Sequence, residues 1–468
     1  MELLSRLGLS IGSSTISQAT GNLSNEAEAA IRDLGQGLLA LYAYDNLDID
    51  FKPTVPTAEK PQDTLVHLTT GTMMPLHPDI TPDDLNCSDE LWEKYYRNPR
   101  LRRQDLPPIP IYDLYKIHSE QPHASNLTRR QRYQVYKYCA DLVNYGPEYF
   151  RCFKSKLKEP EDIEKIPLTK STQTPLKAVD ISPSTVQGNA QALSSFFKQA
   201  GIGDAADDTN AKVKPKSPGN SAILVFGDLL TGQHIRSLLE SRSVERTPWR
   251  RLQFIVYAMG LFHLKMACAD ALWRIFIQPK NSDKDPNSLM SFISQIRPKE
   301  TGKFKSKPGF RRMHEIIDHV GKVLRLDKLG NVASKIDPSH TSLDEFAKSE
   351  PTWESIQAMA QQIVRDSEVE IDELRAKDDG ERDKQRENVL LMHKYFLLYE
   401  EISYAMNHGD IGRVEDCFTP WIWIFLGCGK LKYAAEMRRY LENVHFRYPS
   451  GLRCVPLLVM GKRLAEEH

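Results

Sequence analysis

The sequence predicts an α/β fold that is rich in helix overall, and two observations lead to this prediction. The first is a continuous apolar run over residues 221–227, typical of a strand buried on both faces, which ends directly before Asp228. A helix, a second apolar strand at 252–259 and another helix follow, ending near Ile277. The second observation is a set of three strand candidates within residues 38–74.

These three candidates predict an antiparallel meander. Leu38–Tyr44 is an apolar run, and residues 47–51 alternate apolar with acidic side chains. After a polar, proline-rich turn, Thr64–Met74 is rich in β-branched residues. Because short strands that follow one another closely along the chain usually pair with their neighbours, we expect them to form one half of a divided sheet.

The rest of the chain predicts insertions and flanking helices around this divided core. Residues 154–187 and 203–220 are poor in large apolar side chains and predict mobile linkers. We therefore expect six segments: N-terminal helices at 1–37, the first part of the α/β core at 38–74, an irregular and helical insertion with mobile linkers at 75–220, the second part of the core at 221–279, a helical insertion at 280–388, and C-terminal helices packing on the core at 389–468.

Composition excludes several classes of protein. The 62 basic and 62 acidic residues cancel, so the global charge of a dedicated nucleic-acid binder is absent. Seven scattered cysteines without a CxxC pair argue against a disulfide framework and a zinc module. The N-terminus lacks a signal-peptide pattern, and the longest apolar run, Trp421–Cys428, is too short to span a bilayer. We expect an intracellular protein, nuclear or cytoplasmic, without a membrane partner.

Two aspartates lie where an apolar run gives way to polar residues, Asp45 after 38–44 and Asp228 after 221–227. If the two strands are parallel neighbours, their carboxylates converge at the edge where open α/β sheets bind ligands. Paired carboxylates there hold one or two divalent cations, Mg²⁺ or Mn²⁺, which activate water or a hydroxyl and stabilise a phosphate leaving group. The alternative is structural, because aspartate is common wherever a strand gives way to a turn.

Other polar residues are candidates for the same site. His263 lies near the start of the helix that follows the second strand, where it would contact a metal-bound group or a phosphate, or pack as a hydrogen-bonded core residue. Thr231 is predicted to cap the helix that follows the strand at 221–227. A carboxylate on a late helix would complete the site, and four glutamates have the right residue type: Glu400, Glu401, Glu415 and Glu436.

The most basic segment, Arg297–Arg312, has seven basic residues, one acidic residue and two interleaved aromatics, Phe304 and Phe310. Aromatic rings stack on nucleotide bases while lysine and arginine neutralise phosphates. We therefore expect a DNA contact here, although a solvated loop has the same pattern. The residues expected to make the contact are Lys303, Lys305, Lys307, Arg311 and Arg312.

Several strings resemble an uncharacterised domain family that is abundant in the genomes of mushroom-forming fungi: Tyr44–Asn46, Thr69–Met73, Phe226–Thr231, Gly260–Met266 and Lys432–Ala434. The resemblance extends from about residue 1 to about residue 450. The family has no established activity, but its layout is similar to transposase-type nucleases of the RNase H-like fold. In those proteins a three-strand meander carries the first aspartate and a later strand the second. A following strand and helix often carry a cysteine or histidine, a helical insertion comes next, and a last helix supplies the third acid.

Asp45, Asp228 and His263 match this order one by one, and the resemblance implies metal ligation by the two aspartates and an auxiliary role for the histidine. The third acid departs from the pattern. Glu436 matches by position only, after Lys432–Ala434, and the chain stops soon afterwards at His468. This departure predicts a truncated copy without an intact active site.

We therefore expect an RNase H-like mixed sheet in a transposable-element-derived protein that is related to metal-dependent DNA strand-transfer nucleases. The alternative is a non-catalytic, nucleic-acid-binding or structural relic that retains the fold. A small-molecule α/β enzyme ranks below both, because residues 227–233 have only two glycines, at a spacing unlike that of a phosphate-binding loop.

Overall fold

A computed structural model describes residues 13–50, 65–101, 108–167, 172–207, 214–280, 282, 284–453 and 455. It is about 60% helical with one small mixed sheet, which confirms the prediction of a helix-rich α/β fold. The described residues divide into two compact units. Unit 1 comprises those of 1–110, 167–263 and 439–468, and unit 2 those of 111–166 and 264–438.

The sheet belongs to unit 1. Its five described strands are β1 (Ala40–Asp50), β2 (Leu65–Pro75), β3 (Thr174–Pro175), β4 (Ile223–Gly227) and β5 (Ile255–Met259). Their spatial order is β3-β2-β1-β4-β5. The pairs β1–β2 and β2–β3 are antiparallel, whereas β1–β4 and β4–β5 are parallel. One half of the sheet is therefore an antiparallel set and the other half is a parallel set, joined at β1.

The helices in chain order are α1 (Ser13–Gln36), α2 (Pro82–Leu85), α3 (Ser88–Glu93), α4 (Ile111–Leu114), α5 (Arg129–Tyr145), α6 (Val186–Gln199), α7 (Leu229–Ser241), α8 (Pro248–Arg251), α9 (Leu261–Phe276), α10 (Leu289–Ile296), α11 (Thr301–Lys305), α12 (Phe310–Ile336), α13 (Leu343–Lys348), α14 (Trp353–Ala376), α15 (Lys384–His408), α16 (Ile411–Gly427) and α17 (Leu431–Glu442). None of the helices in the described part of the chain is long and apolar enough to cross a membrane.

The strand–helix–strand–helix unit predicted from about 221 to 277 is confirmed as β4, α7, β5 and α9. β5 begins at Ile255, three residues later than expected. The reason is local, because Leu252 has a left-handed backbone (φ 56°) that ends α8 before the strand can start.

The meander differs from the prediction, because one strand replaces two. β1 pairs with β2 along its whole length, from Ala40 opposite Pro75 to Asp50 opposite Leu65. The Asp45-Asn46 step favours a turn by composition, but its backbone stays extended opposite Thr69 and Thr70. The third member of the antiparallel set is the two-residue β3, which is too short to produce a periodic signal.

The N-terminal prediction also changes. One helix, α1, spans residues 13–36, where two short helices were expected, and the leading residues 1–12 lie outside the described residues. The insertion at 75–220 contains the helices α2 to α6.

The core of unit 1 forms where α1, α6 and α7 cover one face of the sheet. Tyr42 and Tyr44 of β1 are almost fully buried against Phe196 and Phe197 of α6. The rings of Tyr42 and Phe197 meet edge to face with centroids 5.2 Å apart. Large aromatic side chains bury the most apolar area per residue, so this contact anchors β1 beside β4.

Unit 2 has its own core, built around α5, α12 and α14. Leu142, Ile356 and Ile363 are buried in this cluster together with Phe150. Charged side chains are buried beside it. Arg325 of α12 is only 1% exposed, and its guanidinium donates to Asp141 at 2.5 Å and to Glu400 at 2.9 Å. Unit 2 is therefore held by apolar packing and by ion pairs that are shielded from water.

Candidate functional site

Asp45 and Asp228 occupy equivalent positions on neighbouring parallel strands. Tyr42 pairs with Val225 and Ala43 with Phe226, an offset of 183 residues that also separates Asp45 from Asp228. Asp45 lies within β1, and Asp228 directly follows β4. The pairing of β1 with β4 thus places both aspartates at the carboxyl edge of the parallel half of the sheet, where ligands bind in open α/β folds.

Asp228 also has a structural role. It is the N-cap of α7, where its Oδ1 accepts a hydrogen bond from the backbone N–H of Thr231 at 2.6 Å. The cap is therefore Asp228, and the expectation that Thr231 caps this helix is wrong, because Thr231 supplies the N–H that the cap satisfies. One carboxylate oxygen of Asp228 is thus used to begin α7.

His263 lies in the first turn of α9, which follows β5 after Gly260. Its Nε2 is 3.6 Å from Oδ2 of Asp45, whose side chain is 55% exposed. Asp45 Oδ1 accepts a hydrogen bond from the backbone N–H of Asn46 at 2.8 Å. β5 and α9 therefore bring the imidazole to the first aspartate, as the predicted order of residues requires.

A buried hydrogen bond lies on the adjoining core face. The Tyr44 hydroxyl donates to Oδ1 of Asn189 at 2.7 Å. Burial raises the pKa of Tyr44 above its ordinary value; the bond to Asn189 opposes this rise, and the negative charge of Asp228 adds to it. The charge of Asp228 therefore acts on a buried residue of the neighbouring strand.

Tyr257 is a supporting residue that sequence reasoning missed. Its hydroxyl donates to the backbone oxygens of Gly227 and Asp228, at 3.3 and 2.6 Å. A Cβ on Gly232 would lie 2.3 Å from the Tyr257 ring, so glycine is required there for the ring to reach the turn. The second glycine of the 227–233 segment is the signal that could have indicated this close contact.

The donor set of Asp45, Asp228 and His263 fits a hard divalent cation. Mg²⁺ and Mn²⁺ prefer carboxylate oxygens and tolerate one imidazole, and they retain several water molecules in such sites. Asp45 is exposed enough to keep those waters, and Asp228 needs only one of its oxygens for the cap. The residue types therefore suit such a cation, but the ligand atoms of Asp45, Asp228 and His263 do not all lie within 4.8 Å of one another, and metal ligation by the two carboxylates stays a prediction.

The glutamates considered as the third acid all lie in unit 2. Glu400 accepts from Arg325, Glu401 from Arg130 and Arg413, and Glu415 is 2.8 Å from Nε2 of His118. These three are engaged in buried ion pairs. Glu436 is buried on α17, and its role as the third acid stays a prediction.

The basic segment 297–312 lies in unit 2 and is partly neutralised. Arg311 donates to Glu315 at 2.8 Å, and Arg312 lies 3.7 Å from Glu300. Four lysines of the segment are exposed: Lys299, Lys303, Lys305 and Lys307.

The interleaved aromatics of this segment are not a stacking surface for bases, which corrects the expectation. Phe304 is fully buried, and Trp273 donates its indole N–H to the Phe304 carbonyl at 2.7 Å. Phe310 is half-buried and stacks on His314, with ring centroids 5.7 Å apart. A DNA contact at this segment would therefore depend on its lysines alone.

The fold and the site define a helix-rich α/β protein with two aspartates at the carboxyl edge of a mixed sheet. Within that class, the chain belongs to the Family of unknown function (DUF6589), whose model matches residues 103–460. The match includes Asp228 and His263, while Asp45 precedes it. No curated protein and no solved structure matches the chain.

Proposed function

We propose that this chain derives from metal-dependent DNA strand-transfer nucleases of the RNase H-like fold, with Asp45 and Asp228 as the two metal-ligating carboxylates. The observation that carries the proposal is the shared register of β1 and β4, which aligns the two aspartates on adjacent parallel strands. A pair of carboxylates in this arrangement suits the divalent-cation chemistry of phosphate transfer.

The order of elements supports the same proposal. The antiparallel set β1–β2–β3 carries the first aspartate, and the parallel strand β4 ends at the second. The next strand and helix, β5 and α9, bring His263 to within 3.6 Å of Asp45. This is the sequence of elements that the resemblance to RNase H-like transposases implies, and the long helical segment after α9 corresponds to their insertion.

Each residue has a defined task in this proposal. A bound Mg²⁺ or Mn²⁺ would activate the attacking water or hydroxyl and stabilise the leaving oxygen. Asp45 and Asp228 supply the negative charge that holds the cation, and the cap that Asp228 makes fixes its side-chain rotamer. His263 orients the Asp45 carboxylate or contacts the phosphate. In unit 2, the exposed lysines of 303–307 offer positive charge to a DNA backbone, and the role of Glu436 as the third acid stays a prediction.

The rival is a non-catalytic nucleic-acid-binding or structural relic that keeps the fold. One observation favours it: the carboxylate of Asp228 already has a sufficient structural purpose as the N-cap of α7. A relic would keep this cap for stability after its metal chemistry was lost. It predicts that divalent cations do not raise the melting temperature, because nothing binds preferentially to the folded state.

DNA cleavage and thermal stability, measured on the same proteins, distinguish the nuclease from the non-catalytic relic. Purified full-length protein is incubated with labelled DNA and Mg²⁺ or Mn²⁺, and thermal unfolding is followed with and without the cation. The variants are Asp45→Asn and Asp228→Asn, because asparagine preserves the cap at 228 while removing the charge. Asp48→Asn is the matched control, since Asp48 is also an exposed carboxylate on β1.

A nuclease of this type predicts cleavage and cation-dependent stabilisation that both aspartate variants lose and that Asp48→Asn retains. Cleavage that persists undiminished in Asp228→Asn would refute the assigned mechanism. Absence of both cleavage and stabilisation in the unaltered protein would identify the relic.

A further inference from the structure

A second candidate binding surface lies in unit 1 and includes none of the carboxylate-site residues. It is formed by α3, the residues that follow it, and the end of α8. We call it the aromatic–arginine surface and define it by six residues: Trp92, Tyr95, Tyr96, Arg100, Arg246 and Arg251.

Its frame is a ladder of three rings. Trp92 stacks on Tyr95 with centroids 5.7 Å apart and an interplanar angle of 29°. Tyr95 in turn contacts Tyr96, with centroids 4.9 Å apart and an angle of 55°. The ring of Tyr96 is 56% exposed, and its hydroxyl bonds to Glu240. The ladder therefore ends in a partly exposed aromatic side chain that is fixed at its polar tip, with the guanidinium carbon of Arg97 over the ring at 5.2 Å from its centroid.

Arg251 is fixed above the other end of the ladder. Its guanidinium carbon lies 4.6 Å from the centroid of Trp92. Its Nε donates to Oε1 of Gln253 at 3.0 Å, and Nη1 donates to the backbone oxygens of Glu245 and Arg246, at 3.1 and 2.9 Å. All these partners are neutral. No carboxylate of the described residues lies within 4 Å of the guanidinium, although the charge of Asp89, which accepts a hydrogen bond from Gln253, partly offsets its positive charge.

Two further arginines of the surface have no ion-pair partner among the described residues. Arg100 and Arg246 are exposed, and within the described ranges neither forms an ion pair. Burial lowers the pKa of Arg251; Asp89 opposes this effect, and the charge of Arg100 lowers that pKa further. Arg100 is therefore close enough to repel Arg251, and Asp89 offsets this repulsion.

Two arginines close in sequence to this group, Arg97 and Arg250, form ion pairs. Arg97 lies 3.5 Å from Glu240, and Arg250 donates to Asp207 at 2.5 Å. In unit 2, three arginines of the 297–312 segment contact Glu300 or Glu315. The three arginines of the aromatic–arginine surface keep their charge available to a ligand.

We propose that this surface binds single-stranded nucleic acid, with Arg100, Arg246 and Arg251 on the phosphates and Tyr96 stacked on an unpaired base. Each nucleotide of an unpaired strand offers both a phosphate and a π-face. Exposed guanidiniums bind the phosphate, and a partly exposed aromatic ring stacks on the base. A duplex offers its phosphates to the arginines but no free base to Tyr96, because its bases are already stacked on one another. The proposal does not depend on nuclease activity, as binding of a strand needs neither Asp45 nor Asp228.

The test measures binding of a fluorescein-labelled oligonucleotide by anisotropy, in EDTA, with full-length protein. The oligonucleotide is used as single-stranded DNA, as single-stranded RNA of the same sequence, and as the DNA duplex. The charge variant is Arg100→Glu with Arg246→Glu. Its matched control is Lys198→Glu with Lys216→Glu, which makes the same charge change at two exposed lysines elsewhere in unit 1. Tyr96→Ala and Tyr96→Phe separate the ring from the hydroxyl.

We expect both single strands to bind more tightly than the duplex. The charge variant should weaken single-strand binding about tenfold, and two lost phosphate contacts should reduce the salt dependence (the slope of log K on log salt) by about 1.4. The lysine control should bind like the unaltered protein. Tyr96→Ala should weaken binding while Tyr96→Phe restores it.

Three results would overturn the proposal. The first is equal affinity for strand and duplex. The second is equal loss in the charge variant and the lysine control, which would show a non-specific effect of net charge. The third is binding that Lys303→Glu, Lys305→Glu and Lys307→Glu together abolish while the arginine variant leaves it intact, which would assign the strand to unit 2.

Discussion

The carboxylate of Asp228 and the backbone N–H of Thr231 form a hydrogen bond of 2.6 Å that begins α7 at the end of β4. The same carboxylate is the proposed metal ligand opposite Asp45. One residue thus combines a local structural function with a proposed chemical one, and the two can be separated by substitution.

Asp228→Ala should lower the free energy of unfolding by about 1 kcal/mol, because the N–H of Thr231 loses its acceptor. Asp228→Asn should stay within a few tenths of a kcal/mol of the unaltered protein, since asparagine is an equally good N-cap. Chemical denaturation of the three proteins measures the difference. Equal destabilisation by both substitutions would show that the charge, and not the cap, is what stabilises this turn.

Substitution of Arg325 should lower the stability of unit 2 more than substitution at most other positions. Burial by itself would lower the pKa of this guanidinium, but the charges of Glu400 and Asp141 raise it above its ordinary value. Arg325→Met would remove the closer cation from two buried carboxylates, leaving Lys137 at 3.6 Å from each, and should cost about 3–5 kcal/mol of stability. Arg311→Met is the control, because Arg311 is 89% exposed in its pair with Glu315 and its loss should leave the stability nearly unchanged. Thermal and urea unfolding of both variants test the contrast.

Stability should fall on acidification because of His393. His393 is half-buried, and its desolvation, together with the charges of Arg325 and Lys328, lowers its pKa to about 3. The unfolded chain takes up this proton near pH 6.5, whereas the folded protein does not until about pH 3. The stabilising contribution is therefore complete above pH 6.5 and is lost progressively as the pH falls toward 3.

His393→Gln should reduce this pH dependence. Between pH 7 and pH 4.5 the unaltered protein should lose about 2 kcal/mol more stability than the variant. Urea unfolding at the two pH values provides the measurement. Parallel curves for the two proteins would show that other groups account for the acid sensitivity.

In the basic segment of unit 2, the buried Phe304 should contribute to stability and the exposed lysines to DNA binding. Phe304→Ala should cost about 3–5 kcal/mol, because the ring is fully buried. Replacing Lys303, Lys305 and Lys307 with glutamate should leave the melting temperature nearly unchanged and weaken binding of duplex DNA. Unfolding curves and anisotropy on the same preparations make the comparison. If the lysine variant binds duplex DNA as well as the unaltered protein, the segment is only a solvated surface.

The unit β4–α7–β5–α9 could be predicted from the sequence because its signals are local. The apolar run before Asp228 has the length of a buried strand, and an aspartate after it is suited to cap a helix. The sequence also shows the order of Asp45, Asp228 and His263 along the chain. It shows as well that an apolar run precedes each of the two aspartates. These features depend on residues within a few positions of one another.

Other features depend on partners that are distant in the sequence, and only the tertiary structure decided them. The Asp45-Asn46 step, a turn by composition, is held extended by pairing with Thr69 and Thr70 on β2. Phe304, in a segment that looks solvated, is buried with the indole of Trp273 bonded to its carbonyl. The arginines of the aromatic–arginine surface come from segments about 150 residues apart, and nothing local marks them as neighbours. Local propensities differ by only a few tenths of a kcal/mol per residue, so the larger free energies of strand pairing and burial determine which conformation such segments adopt.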